Sequence, residues 1–186
     1  MNIVSKPISV SIPLKLYNSV HIADATSRDG EVFYIFLGLN KEMVTQLKEY
    51  SLDKSDTDLQ NNTSDRKRFG EGKYEDWYRK ERTPFALVHK ETNKLAALVW
   101  FGPKPLLSDG NNWQATAWRA YPLFRGKGIM KNFTAFAMDF YREKISGVKF
   151  WAVLKKENTG SAGLASSLGF QILPEKSDDA SIVMIK

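Results

Sequence analysis

Apolar and polar positions alternate in two early stretches, NSVHIADA and EVFYIFLGL, and the segment TSRDG between them carries a turn signal at Asp29-Gly30. The pattern predicts an opening β-hairpin. The period then changes: in NKEMVTQLKEYSL, Met43, Val44, Leu47 and Tyr50 recur at helical spacing behind Asn40, which suits a helix cap. Residues 53–68, DKSDTDLQNNTSDRKR, are almost free of apolar side chains and are expected to form a long loop bordering a substrate site. Two apolar runs follow, PFALVHK and KLAALVWFG, separated by ETN, and these predict a second hairpin.

The strand WQATAWRAY leads into YPLFRGKGIM, after which Ile129, Met130, Phe133, Phe136, Ala137, Phe140 and Tyr141 fall on one side of a helix. VKFWAVL reads as a buried strand, GSAGLASSL as a short helix closed by Gly169, and SIVMIK as a terminal strand. This order predicts an α/β fold with a mixed sheet flanked by helices. No repeat or linker divides the chain, so one domain over residues 1–186 is expected.

Composition narrows the chemistry. The 186 residues are 42% hydrophobic and 12% aromatic, enough to fill a core without covalent staples. The absence of cysteine excludes disulfides, thiol catalysis and cysteine-ligated zinc. No stretch is long and apolar enough to span a membrane, and the N-terminus is interrupted by Lys6, Pro7, Pro13 and Lys15, so a cytoplasmic location is expected. The sequons at Asn61 and Asn62 then read as ordinary loop asparagines. A net charge of +6 suits a polyanionic partner. In the densest charged stretch, residues 65–82, acids are mixed with bases, so a solvated surface is favoured over a nucleic-acid-binding patch. Nothing selects between monomer and homodimer.

The glycines before the long helix ask for an explanation, since glycine disfavours helix. The first turn of a helix leaves N–H groups unpaired and carries partial positive charge. Gly126 and Gly128 would let a phosphate approach that backbone, and Arg125 and Lys127 would add cations, with the backbone of Ile129 and Met130 completing the cradle. The segment is neither a P-loop, since no Ser or Thr follows Gly-Lys, nor a dinucleotide fingerprint, whose third glycine would be Lys131.

Read together with ENTGSAGLASSLGF some thirty residues downstream, YPLFRGKGIM resembles the Gcn5-related N-acetyltransferase family. That family has an Arg/Gln-x-x-Gly-x-Gly/Ala loop for the pyrophosphate of acetyl-CoA and an Asn-x-x-Ala-x-x-x-Tyr motif ending in Gly-Phe. Arg125 and Gly128 match the first, and Asn158, Gly169 and Phe170 match the second. The resemblance is specific over residues 113–172 and extends loosely back to residue 83. It implies a mostly antiparallel, twisted central sheet and acetyl transfer from acetyl-CoA to a primary amine of a small molecule or peptide.

It further implies that the backbone of Arg119, Ala120 and Tyr121 pairs with the cofactor where two strands splay apart, and that Asn158 and Ser161 line its thiol end. Met130 departs from the usual glycine or alanine, and Ala165 from the tyrosine that protonates the thiolate. The amine must lose a proton before attack. Asp109, Glu157, His89 or an ordered water could accept it, and Ser161 or Ser166 could donate to the thiolate. The Ala120 backbone could hold the thioester oxygen. Trp100, Phe101, Trp113, Trp118 and Trp151 suggest an aromatic wall near the acceptor, or simply core. With Ala165 and no obvious base, a CoA-binding regulatory protein with little turnover is the alternative.

Overall fold

A computed structural model describes residues 1–186. Nine strands form one sheet: β1 (Asn2–Ser5), β2 (Val20–Thr26), β3 (Val32–Leu37), β4 (Thr83–His89), β5 (Leu95–Pro103), β6 (Asn112–Ala120), β7 (Val148–Lys155), β8 (Gln171–Ile172) and β9 (Ser181–Ile185). Their spatial order is β1-β2-β3-β4-β5-β6-β7-β9-β8, and every neighbouring pair is antiparallel except β6 and β7. The fold is therefore the mixed α/β sheet flanked by helices that the element order predicts, and it is mostly antiparallel, as the family resemblance implies. Both hairpins form as expected; β1 and the short β8 at the two edges carry too few residues to show a period.

Helices cover both faces. On one side lie α1 (Lys41–Leu52), α2 (Thr57–Asn62) and α3 (Tyr74–Tyr78), packed through Leu47, Leu59, Phe69, Trp77 and Trp100. On the other lie α4 (Met130–Lys144) and α5 (Thr159–Ser167), whose Phe133, Ala137, Tyr141 and Ala165 meet Phe85, Phe101, Trp118 and Phe150. Asn40 caps α1 as its position suggests, Oδ1 accepting from Met43 N at 2.9 Å.

The segment from 53 to 68 is not a loop. Asp56 caps α2 by accepting from Leu59 N, Leu59 is buried, and a single π-type turn spans Arg66–Gly70. Asn61 and Asn62 consequently belong to a helix. The 65–82 stretch is also less solvated than its charge suggests, since Phe69, Tyr74, Trp77 and Tyr78 turn inward and leave most of the charges outside. Sparse apolar residues sufficed here because each joins one buried cluster with the sheet residues Leu98 and Trp100.

Candidate functional site

The parallel pairing of β6 with β7 is short: Asn112–Ala115 register against Val148–Trp151 and nothing pairs beyond. Past that point each strand follows its other neighbour. β6 stays with β5 to Ala120, and β7 stays with β9 to Lys155. A wedge opens between them. Its walls can be assigned from ladder parity. Tyr121 N donates to Ala96 O at 3.0 Å, so Tyr121 and, by alternation, Arg119 direct their main-chain groups at β5, while Trp118 and Ala120 direct theirs into the wedge. Phe150 and Lys186 exchange both bonds at 2.8 Å, which turns Val153 of β7 to the wedge by the same argument.

At the end of the wedge the chain enters α4 through Gly126 and Gly128, with φ of 75° and 67°. Both are left-handed conformations in which an L side chain is strained, and a Cβ at either would point into open space. Ile129, at the cap position of α4, provides no side-chain acceptor. None of the main-chain N–H groups from residue 125 to 132 has an acceptor in the protein. This run of unpaired donors at a fifteen-residue helix's positive end is an anion cradle.

Two aspartates of the α2 region brace the site. Asp56 receives Arg125 Nη1 and Nη2 at 2.7 Å each, while Arg125 Nε donates to Ala120 O at 2.8 Å. Fully buried Asp65 receives Arg119 through Nε and Nη2 and also Arg68 Nη1 at 2.9 Å. The hydrogen bonds from Arg125 to Asp56 raise its pKa. Burial opposes the Arg119 cation, and the Asp65 charge and hydrogen bonds more than offset it, so its pKa rises too. Neither aspartate was marked by the sequence. The cap spacing Asp56-x-x-Leu59 was the one available signal.

The cleft built on the wedge holds about 1150 Å³. Arg119, Ala120, Arg125, Gly126, Gly128, Ile129, Met130, Glu157, Asn158 and Ser161 all line it. Two expected cofactor residues do not. Lys127 turns away to Glu31, 2.6 Å distant, and Tyr121 is buried on the opposite face against Tyr50. The Arg125 charge is committed to Asp56, so the loop's attraction for anions comes mainly from its N–H groups and from Lys131 and Lys155 at the rim.

Among the proposed bases, His89 is buried against Phe33 and Phe124, Asp109 is tied to Asn111 and Trp113 in an outer loop, and only exposed Glu157 reaches the cleft. The side chain of Asn158 caps α5 by accepting from Ser161 N at 3.0 Å. Ser161 Oγ accepts from Trp118 Nε1 at 3.3 Å and donates to nothing. Ala165 is fully buried in the core, whereas Ser161, one turn earlier on α5, faces the cleft; Ser166 does not line it. Of the aromatic residues, Trp100, Trp118 and Trp151 line the cleft with Trp77, while Phe101 and Trp113 are core.

A splayed parallel strand pair with a glycine-flanked helix end beneath it defines the class, and the sequence comparison agrees. The model of the acetyltransferase (GNAT) family matches residues 47–170, and the chain belongs to that family. It is an N-acetyltransferase, and members of the family use acetyl-CoA as acyl donor. No curated protein matches the sequence significantly.

Among solved structures, the chain is similar to the ribosomal-protein-S5-alanine acetyltransferase of Vibrio fischeri, at 16% identity and TM-score 0.65, over 87% of this chain and 96% of that one. It is likewise similar to the GNAT domain of S. lividans PAT, at 16% identity and TM-score 0.64, over 88% and 94%. RimL, a ribosomal L7/L12 alpha-N-protein acetyltransferase, aligns at 15% identity and TM-score 0.63, over 95% and 99%. At such identities these likenesses establish the fold.

Proposed function

We propose that the chain, acting as a single unit over residues 1–186 in the cytoplasm, transfers an acetyl group from acetyl-CoA to a primary amine by direct attack within a ternary complex. The observation that carries this reading is the run of unpaired N–H groups at residues 125–132, set at the end of a wedge between two strands. Those donors suit a pyrophosphate, and the main-chain groups of Trp118, Ala120 and Val153 suit the amides of an extended pantetheine arm. Bound there, acetyl-CoA supplies an activated thioester. A main-chain N–H of β6 directed into the wedge can hold the thioester oxygen, and this needs placement rather than a particular side chain.

Ser161 takes the part assigned elsewhere in the family to tyrosine. Its hydroxyl proton is uncommitted, and Trp118 holds the oxygen in place, so it can deliver that proton to the departing thiolate. The chain has no cysteine to carry the acetyl group, and Ser161 has no base within hydrogen-bond reach to make it a nucleophile, so transfer proceeds directly from donor to amine. The attacking amine loses its proton to Glu157 or to water in the cleft.

Calorimetric titration with acetyl-CoA, followed by thiol release with a panel of amines, tests the reading. Binding and converging initial-rate lines are expected; parallel lines would indicate a covalent acetyl-enzyme. Ser161→Ala is expected to lower kcat about 100-fold with acetyl-CoA affinity retained. Failure to bind acetyl-CoA rejects the whole assignment. Tight binding with no acetylated amine would place the acceptor outside the panel tested.

A further inference from the structure

Beyond the phosphate end, the cleft has a second compartment on the α3 side of the sheet, and its charges are not balanced. Gly102 of β5, Ala115 of β6 and Trp151 of β7 lie side by side in register and form a small-residue floor with a tryptophan at its far end. Ala115 and Trp151 are also the last pair before the wedge opens, so this floor adjoins the point where the acyl group would arrive.

Arg82 lies across Gly102, whose missing side chain makes the room: a Cβ there would come within 2.6 Å of Arg82 Cδ. On the opposite side Lys104 Nζ sits 5.1 Å from the Trp151 ring centre. Lys80 completes the cationic rim.

The neighbouring cations Arg68 and Arg119 share the single negative charge of Asp65, whereas Arg82, Lys80 and Lys104 form no salt bridge at all. Arg82 Nε and Nη1 are covered and lack any hydrogen-bond partner. A guanidinium held this way is missing its counter-ion. Burial lowers its pKa from the ordinary arginine value, as expected of an uncompensated cation. The acids that do reach the cleft stand elsewhere: Asp58 leans on Arg125, 3.6 Å away, and Glu157 follows β7.

We propose that the acceptor is a small amine bearing an anionic oxyacid group, held by Arg82 and Lys104 over the Gly102–Ala115 floor while its amine faces the wedge. The inference rests on the acetyltransferase reading above and names the acceptor that this site selects. Arg82 perches one strand away from β6, about 5 Å at ordinary strand spacing, so a short spacer joins the amine to the acid. Shape and charge thus favour an amino acid or amino phosphate over a polyamine, whose second ammonium would meet Arg82 and Lys104 unfavourably.

The test compares matched acceptors with acetyl-CoA by thiol release: amino acids against their amides, phosphoethanolamine against ethanolamine, and spermidine. The acid-bearing member of a pair is expected to show kcat/KM at least about 10-fold higher, chiefly through KM, since one charge-assisted contact to a held guanidinium discriminates on that scale. Arg82→Gln should collapse this preference towards unity while the Kd for acetyl-CoA stays within about 2-fold, and Arg82→Lys should restore part of it. The carboxylate and phosphate pairs show which oxyacid is taken. Turnover of neutral amines or spermidine with no acid preference overturns the inference and leaves the enzymatic reading standing.

Should no amine turn over, calorimetry on the CoA-saturated protein decides. Binding of the acid-bearing amines that Arg82→Gln abolishes supports the inference, and no binding by any of them ends it. A protein that binds no acetyl-CoA fails earlier, at the acetyltransferase reading.

Discussion

Replacing Gly128 separates the phosphate loop from ordinary helix chemistry. If Gly128 were simply a weak residue at a helix start, alanine would stabilise the fold by about 0.5–1 kcal/mol through helix propensity. The structure reverses that sign. Gly128 precedes α4 and holds φ at 67°, where an L residue costs about 1–2 kcal/mol, and there is no contact within reach of a Cβ to return any of it. For a chain of 186 residues, 1 kcal/mol moves the melting temperature by about 2–4 °C, so both Gly128→Ala and Gly128→Glu should melt about 2–8 °C lower.

Ligand then distinguishes them. Acetyl-CoA at about 100 times its Kd should stabilise the wild type by about 2.7 kcal/mol, or about 5–11 °C. Glutamate sets a carboxylate beside the unpaired N–H groups and should lose most of that shift, while alanine, smaller and neutral, should keep more of it. Scanning calorimetry with and without ligand reads all of these values. A rise in melting temperature for Gly128→Ala, or a full ligand shift for Gly128→Glu, would refute the argument.

Asp65→Asn removes the negative charge that two arginines share at a fully buried site, and turns one of its two acceptor oxygens into a donor, so it should cost about 3–5 kcal/mol by chemical denaturation; a loss under about 1 kcal/mol would mean the arginines find other partners. Arg125→Ala and Asp56→Asn break the same brace, so both should weaken CoA and dephospho-CoA alike and pantetheine little. Calorimetric loss confined to CoA would instead put Arg125 on the third phosphate. Burial raises the pKa of Tyr141, whose hydroxyl donates to Gln114, to about 12, and holds Tyr121 and Tyr74 high as well. Because the folded values exceed the unfolded value near 10, their contribution to stability is complete below pH 10 and is lost as pH rises towards 12. Denaturation midpoints measured from pH 8 to 12 should fall only in that upper range, and native tyrosines that all ionise near pH 10 would contradict the burial argument.

Local chemistry carried much of this protein. Alternation and helical period located the two hairpins, α1, α4, α5 and the strands between them, because each element buries one face and its period shows in neighbouring residues. The spacing of Arg125, Gly128, Asn158, Gly169 and Phe170 disclosed the family for a related reason, since helix ends and tight turns are made by residues close in the chain.

Tertiary structure decided what depends on distant partners. Asp56 meets Arg125 across 69 residues and Asp65 meets Arg119 across 54, so a polar stretch that reads as loop becomes the brace of the site. Lys127 and Tyr121 stand beside the cofactor residues in sequence but point elsewhere, because Glu31 claims one and the opposite core the other. Ladder parity, not residue type, selected Trp118, Ala120 and Val153 as the walls of the wedge. The uncompensated charge of Arg82 was equally invisible in a stretch rich in acids, since charge balance is a matter of which side chains meet in space, and sequence proximity does not determine that.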